Sequence, residues 1–146
     1  TGVQTCALPI SASCAGVRID LIVRGVCALR PGIEGLSENI RVRSIIGRFL
    51  EHSRIFYFLN GGEENVYLSS ADWMERNFFR RIEFCVPVLE PKLKARVIRE
   101  GLRTALADNT EAWEMDADGN YRRRKTRSGI PNSAQAQLLA HLSAGQ

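Results

Sequence analysis

One histidine and a set of arginines are the residues here whose chemistry invites attention. His52 stands in the run Arg48-Phe49-Leu50-Glu51-His52-Ser53-Arg54-Ile55-Phe56-Tyr57-Phe58, where a helical pattern gives way to an aromatic strand. Ligands of α/β proteins collect at strand ends rather than on strand faces, so this junction is a sound place for a reactive side chain. A histidine closing a helix can equally be a cap or a packing residue, and position alone does not separate the readings. Arg24 follows a run of core-strand residues and precedes Gly25, which aims a guanidinium at a strand's carboxyl end beside a residue that permits close backbone approach. An ordinary exposed strand-end arginine fits the same position.

Arg41 and Arg43 alternate with Ile40, Val42 and Ser44, which puts the two arginines on one strand face. Arg54 follows His52 by two residues, and Ser69-Ser70-Ala71-Asp72 supplies small polar groups that could orient an imidazole, bind an anion or cap a helix. Arginines with one histidine and no dedicated carboxylate pair suit phosphoryl chemistry, in which positioning and charge neutralisation carry most of the catalysis. Glycosidase, serine hydrolase and zinc readings find no matching constellation. No Walker glycine loop is present, so a nucleotide would be held by arginine and histidine.

The elements that must position these groups follow from local patterning. The β-branched density of Ile19 to Val23 predicts a buried strand ending at Arg24. Arg30 to Asn39 is a loop on its Pro and Gly punctuation, Ile40 to Ile45 a strand, and Ile45 to Leu50 a short helix closed by His52. Ile55 to Phe58 and Val66 to Asp72 form a hairpin through Asn60-Gly61-Gly62-Glu63-Glu64-Asn65, returning Ser69 to Asp72 toward the end that carries His52. Ile82 to Val88 is a strand whose Pro87 marks an edge or an end. Glu90-Pro91 opens a long helix with the apolar stripe Leu93, Val97, Ile98, Leu102, Ala105 and Leu106, ending near Asp108-Asn109. A segment through Trp113, a turn at Asp118-Gly119-Asn120, the basic run Arg122 to Arg127 and a weak helix from Ser133 to Leu142 complete the chain, with His141 facing solvent.

At 146 residues, 45% hydrophobic and 25% charged, the chain has material for one domain with a core. Its net charge of +4 with clustered arginines suggests an anionic partner, although a solvated basic face explains the same pattern. The four cysteines form no C-x-x-C pair and have no histidine at zinc spacing, so no metal site is expected, and a reducing compartment fits. Cys27 and Cys85 read as small buried hydrophobes. No apolar run spans a bilayer. Thr1 to about Ser11 has no patterning in common with the residues after it and resembles a translated sequencing-adapter tail, so the native chain is expected to begin upstream of about Ala12 and to have been cut.

Four ordered stretches carry a family resemblance: Ile19-Asp20-Leu21-Ile22-Val23-Arg24-Gly25, Gly35-Leu36-Ser37-Glu38-Asn39-Ile40-Arg41-Val42, Arg48-Phe49-Leu50-Glu51-His52-Ser53-Arg54 and Ser69-Ser70-Ala71-Asp72-Trp73-Met74. Together they resemble the C-terminal catalytic domain of bacterial polyphosphate kinases, over 12–146 with a looser basic tail at 121–146. The resemblance implies a phospholipase D-like α/β domain, a mixed sheet flanked by helices, forming one half of a two-domain catalytic unit. It implies reversible transfer of the terminal phosphate of ATP to polyphosphate through a phosphohistidine, with Arg24 and His52 as nucleotide contacts. His52 would also assist as proton donor or acceptor. Arg41, Arg43 and Arg54 become candidate phosphate contacts.

The phosphorylated histidine and the arginines that contact Mg2+ would lie upstream of this chain, so Mg2+ is expected for the whole enzyme without ligands here. The resemblance further implies ATP and ADP as substrates, the upstream half as partner, a homo-oligomeric whole enzyme and a cytoplasmic location, with membrane association open for the whole enzyme. The fragment alone is expected to be inactive. One rival is another phospholipase D-like phosphotransferase, lipase or nuclease, but its H-x-K-x4-D motif needs Lys at Arg54 and Asp at Leu59. Another is a non-catalytic polyanion-binding module without nucleic-acid specificity, using Arg41, Arg43 and the run from Arg122 to Arg127.

Overall fold

A computed structural model describes residues 2–124 and 129–144, with side chains from residue 6 onward. Seven strands appear in chain order: β1 Ile19–Ile22, β2 Ile40–Ile45, β3 Ile55–Asn60, β4 Glu63–Ser69, β5 Cys85–Pro87, β6 Ala112–Met115 and β7 Tyr121–Arg123. The helices are α1 Gly2–Cys14, α2 Glu75–Arg80, α3 Pro91–Val97, a π-helical turn Ile98–Arg103, α4 Thr104–Ala107 and α5 Ala134–Ala144. The chain divides into two compact units, Thr1–Glu51 with Ala107–Gln146 and His52–Leu106.

The first unit is built on the mixed sheet β1-β2-β6-β7. β1 runs parallel to β2, and β6 returns antiparallel to β2. Leu29, Ile40 and Val42 form its buried centre, joined by Ile19, Leu21, Val23 and Met115. The initial segment read as an adapter-derived tail lies in α1, whose Cys6 and Ile10 pack on the same centre. The α1 residue Ser13 is fully buried and bonds both the backbone and the side chain of Asn39, the residue before β2.

The stretch from Ile45 to Leu50 does not form the expected helix. Ile45 completes β2, and 46–50 take an irregular path. The apolar spacing there is genuine, but distant partners take the backbone groups that a helix would need. The Ile46 N–H donates to the Glu111 carbonyl at 3.1 Å. The Phe49 N–H donates to Gln135 Oε1 at 2.8 Å, and the Phe49 carbonyl accepts from Gln135 Nε2 at 2.7 Å.

Asp108 organises this end of the unit. It is fully buried, and its Oδ1 accepts from the N–H groups of Thr110, Glu111 and Ala112 at 2.9, 2.7 and 2.9 Å. Its Oδ2 accepts from the Ala134 N–H at 2.7 Å, at the start of α5. One carboxylate thereby satisfies the donors that open β6 and one of the orphan donors of a helix amino terminus.

In the second unit, β3, β4 and β5 form an antiparallel sheet in that order. The Asn-Gly-Gly signal resolves to a tight turn in which Gly61 and Gly62 have φ of 61° and 96°, closed by Asn60 opposite Glu63. Two successive positive φ values give the turn whose twist matches paired strands, and glycine adopts them without strain. β5, with Pro87, is an edge strand as its proline suggested. Cys85 is exposed rather than buried, because it lies on that edge; Cys27 is half-buried, and burial pushes its thiol up. The long helical segment begins at Pro91, where the Glu90 carboxylate accepts from the N–H groups of Lys92 and Leu93 at 2.9 and 2.6 Å.

Glu83 fixes the turn after β4. It accepts from the Ser70 hydroxyl and, at 2.7 Å, from Asn77 Nδ2. These two bonds, Ser70 first, hold its carboxyl below the ordinary glutamate value. A depressed folded-state value adds stability above the unfolded pKa and loses it as pH falls through the folded one. Urea unfolding as a function of pH should therefore show acid destabilisation that is weaker in Glu83→Gln; an unchanged pH profile would refute this linkage. Asp108→Ala leaves buried donors without an acceptor and should lower the unfolding free energy by about 3–5 kcal/mol. A loss below about 1 kcal/mol in the same assay would show that the carboxylate is not a keystone.

Candidate functional site

His52 opens the second unit and is exposed. Behind it, Arg54 leads into β3, and the register of the hairpin brings Asp72 to Arg54 just past the end of β4. The Ser69 N–H donates to the Arg54 carbonyl at 2.9 Å, extending the ladder by one step. Arg54 Nε then donates to Asp72 Oδ1 at 2.9 Å, with both side chains about three-quarters buried at relative exposures of 21% and 27%. The same guanidinium places Nη1 3.4 Å from His52 Nδ1 and 3.4 Å from the His52 carbonyl.

A guanidinium can only donate, so this contact gives Nδ1 the acceptor role and leaves the proton of a neutral ring on Nε2. At 3.4 Å the bond is long and acts mainly by orientation. The expectation that the hairpin returns Ser69 to Asp72 to the His52 end holds within this unit. Asp72 reaches His52 through Arg54 rather than directly, and it does not cap α2, whose first turn follows Met74 without a side-chain cap.

Arg24 belongs to the first unit. It lies two residues beyond β1, is exposed, and donates from Nη1 to the Glu51 carbonyl at 2.9 Å. Glu51 is the last residue of that unit before His52 in sequence. Glu51 is itself held, since Gln135 Nε2 donates to its Oε1 at 2.7 Å while bonding Phe49.

The other arginines separate. Arg41 pairs in register with Asp20, four residues before Arg24, so it stands about 13 Å nearer the amino end of the parallel strands. It is exposed, whereas Arg43 on the same face is buried because β6 lies alongside it. Arg43 Nη2 meets its register partner Glu114 at 3.3 Å. The shared open arginine face expected from alternation is therefore reduced to Arg41. In the basic run, Arg122 pairs with Asp116 at 3.2 Å, Arg124 with Glu114 at 3.6 Å, and Arg123 donates to the Thr110 carbonyl at 2.8 Å. Residues 125–128 of that run lie outside the described residues. Sequence reading missed Gln135 and Asp108. Asp108-Asn109 after a helical stripe was a turn signal that could have drawn attention to Asp108, whereas nothing local marks Gln135.

The comparisons with known proteins agree in direction. Residues 7–137 match the family model for the polyphosphate kinase C-terminal domain 2. The polyphosphate kinase of Burkholderia cenocepacia is 67% identical over 129 residues, which are 88% of this chain and 19% of that protein. That of Paraburkholderia phytofirmans is 65% identical over 125 residues, 86% of this chain and 18% of that protein. The crystal structure of the polyphosphate kinase from Porphyromonas gingivalis matches with a TM-score of 0.90 at 43% identity, covering 97% of this chain and 22% of that one. The chain therefore spans only a small part of the length of its relatives. Its mixed α/β architecture is the phospholipase D-like fold of those kinases. With most of its length matched in both sequence and fold, this chain belongs to the polyphosphate kinase family and corresponds to its C-terminal domain.

Proposed function

We propose that this chain supplies nucleotide and phosphate contacts to a polyphosphate kinase that reversibly transfers the terminal phosphate of ATP to polyphosphate. The observation that carries the reading is the His52 ring, turned by the Arg54–Asp72 pair so that Nε2 bears the proton. Arg24 binds a phosphate of the nucleotide by a charge-assisted bond. His52 hydrogen-bonds a phosphate oxygen through Nε2–H when neutral; in its imidazolium form it gives one proton to the phosphohistidine nitrogen as the P–N bond breaks, and ends as the neutral ring. In the reverse direction it takes the proton back. The phosphorylated histidine belongs to the upstream half of the enzyme, which makes His52 an assistant rather than the nucleophile.

The partners follow from this role. The upstream half completes the site, the whole enzyme is a homo-oligomer, and the location is cytoplasmic. Phe58, Phe84 and Phe79 of the second unit, 57%, 66% and 68% exposed, are consistent with a chain that works within a larger protein. Among the described residues no helix is long and apolar enough to cross a membrane. Mg2+ is implied for the whole enzyme. Among the described residues no three His, Cys, Asp or Glu side chains form a group fit to hold a metal ion. Arg41 remains a candidate polyphosphate contact, whereas Arg43 and Arg54 act first through Glu114 and Asp72.

The rival polyanion module loses ground because Arg122, Arg123 and Arg124 all have partners in their own unit. Calorimetric titration of ATP into the chain should show about ten- to a hundredfold weaker binding in Arg24→Ala, the span of a lost charged hydrogen bond. A smaller loss is expected in His52→Ala and less than about twofold in Arg122→Ala. Equal losses in all three, following ionic strength alone, would favour the polyanion module instead.

A further inference from the structure

We infer that Gln135 is a positioning residue for the nucleotide contact, a side chain from the first turn of α5 that sets the Arg24 guanidinium by clamping the segment it grips. This inference rests on the proposed role of Arg24, but its geometry is independent of that role.

The Gln135 amide is used like a strand backbone. Oε1 accepts the Phe49 N–H and Nε2 donates to the Phe49 carbonyl, so one side chain pairs both polar groups of one residue across 86 positions of sequence. The same Nε2 donates to Glu51 Oε1. Phe49 N–H requires an acceptor, which fixes the orientation of the amide. Gln135 is only 7% exposed, although the helix that carries it is otherwise largely exposed. A buried glutamine that spends three hydrogen bonds on an irregular segment is not there to stabilise its own helix.

Two further observations point the same way. Gly47 lies where a Cβ would come within 2.5 Å of Gln135 Oε1 and 2.8 Å of Glu111 Oε1, so the clamp leaves no room for a side chain. The base of the clamp is fixed too, since Asp108 holds the Ala134 N–H and Ser133 Oγ donates to Glu111 Oε2 at 2.8 Å. A continuous series of contacts thus runs from buried Asp108 through α5 and Gln135 to Phe49 and Glu51. It ends on the Glu51 carbonyl, where Arg24 Nη1 donates at 2.9 Å. Without the clamp that carbonyl has no fixed place, and the guanidinium loses one of the contacts that aim it. Binding then suffers through the entropy of ordering rather than through a lost contact.

The test uses the whole 146-residue chain, 15N-labelled, with two readouts. The first is the resonances of the Phe49 and Glu51 amides and the Arg24 Nε–Hε group without ligand. The second is ATP affinity by calorimetry. In Gln135→Leu the Phe49 amide and Arg24 Nε–Hε signals should move and broaden while signals of β3 and β4 stay in place, and ATP should bind about five- to twentyfold more weakly. Gly47→Ala, which displaces the clamp without removing it, should reproduce the direction of both effects.

Gln135→Glu supplies a conservative rescue with a pH signature. Its carboxylate accepts the Phe49 N–H but repels the Phe49 carbonyl and Glu51, whereas its protonated form can donate again, so both readouts should recover as pH is lowered toward about 4. Adding Gln135→Leu to Arg24→Ala should weaken binding no further, because the two act through one contact. Full additivity, or an Arg24 signal unmoved in Gln135→Leu, would overturn the inference. Wild-type chain that binds no ATP while the Arg24 signal still responds to Gln135→Leu would instead sink the proposed nucleotide role and leave the positioning intact.

Discussion

The buried carboxylate of Asp108 is the constraint on which the first unit depends. A fully buried charge is tolerable only when its lone pairs are filled, and here four backbone N–H groups fill them. Those donors come from two places far apart in sequence, the start of β6 and the start of α5. The carboxylate therefore fixes the sheet's third strand and the last helix at once. From the strand, Glu114 meets Arg43, and from the helix, Gln135 reaches Phe49 and Glu51.

The second unit uses a different device for the same purpose. A tight hairpin sets the register, the register brings Asp72 to Arg54, and Arg54 turns the His52 ring. Glu83 keeps the turn after β4 in shape through Ser70 and Asn77. In each unit a carboxylate organises neutral or cationic groups around it, Asp108 through backbone N–H groups and Asp72 through Arg54. That arrangement suits a phosphate substrate, since an uncompensated carboxylate would repel it. The arginines divide on the same basis: Arg43 and Arg54 belong to acids, whereas Arg24 and Arg41 are exposed.

What the sequence revealed was what local physics controls. Asn60-Gly61-Gly62 specified its turn because few residues adopt two positive φ values, and Glu90-Pro91 marked a helix start for the equally local reason that one caps and the other cannot donate. The return of Asp72 toward His52 was legible because it follows from hairpin geometry. The helix expected over Ile45 to Leu50 failed because its backbone groups are claimed from Glu111 and Gln135, which no window of local periodicity contains. Arg43 misled for a related reason: alternation assigns a face, but only the pairing of β2 with β6 shows that Glu114 stands beside it. Gln135 was invisible altogether, since its importance lies in a partner 86 residues away.

We propose that Arg24 in the first unit and His52 in the second are each nucleotide contacts, and that the chain does not itself become phosphorylated. Incubation with ATP labelled at the γ-phosphate, followed by native gel filtration and by acid and alkaline quench, tests it most directly. The account predicts label that travels with the native chain, exchanges with unlabelled ATP, and leaves no acid-labile, alkali-stable phosphate on the denatured chain. Stoichiometric phosphohistidine at His52, or no retained label at all, would contradict it.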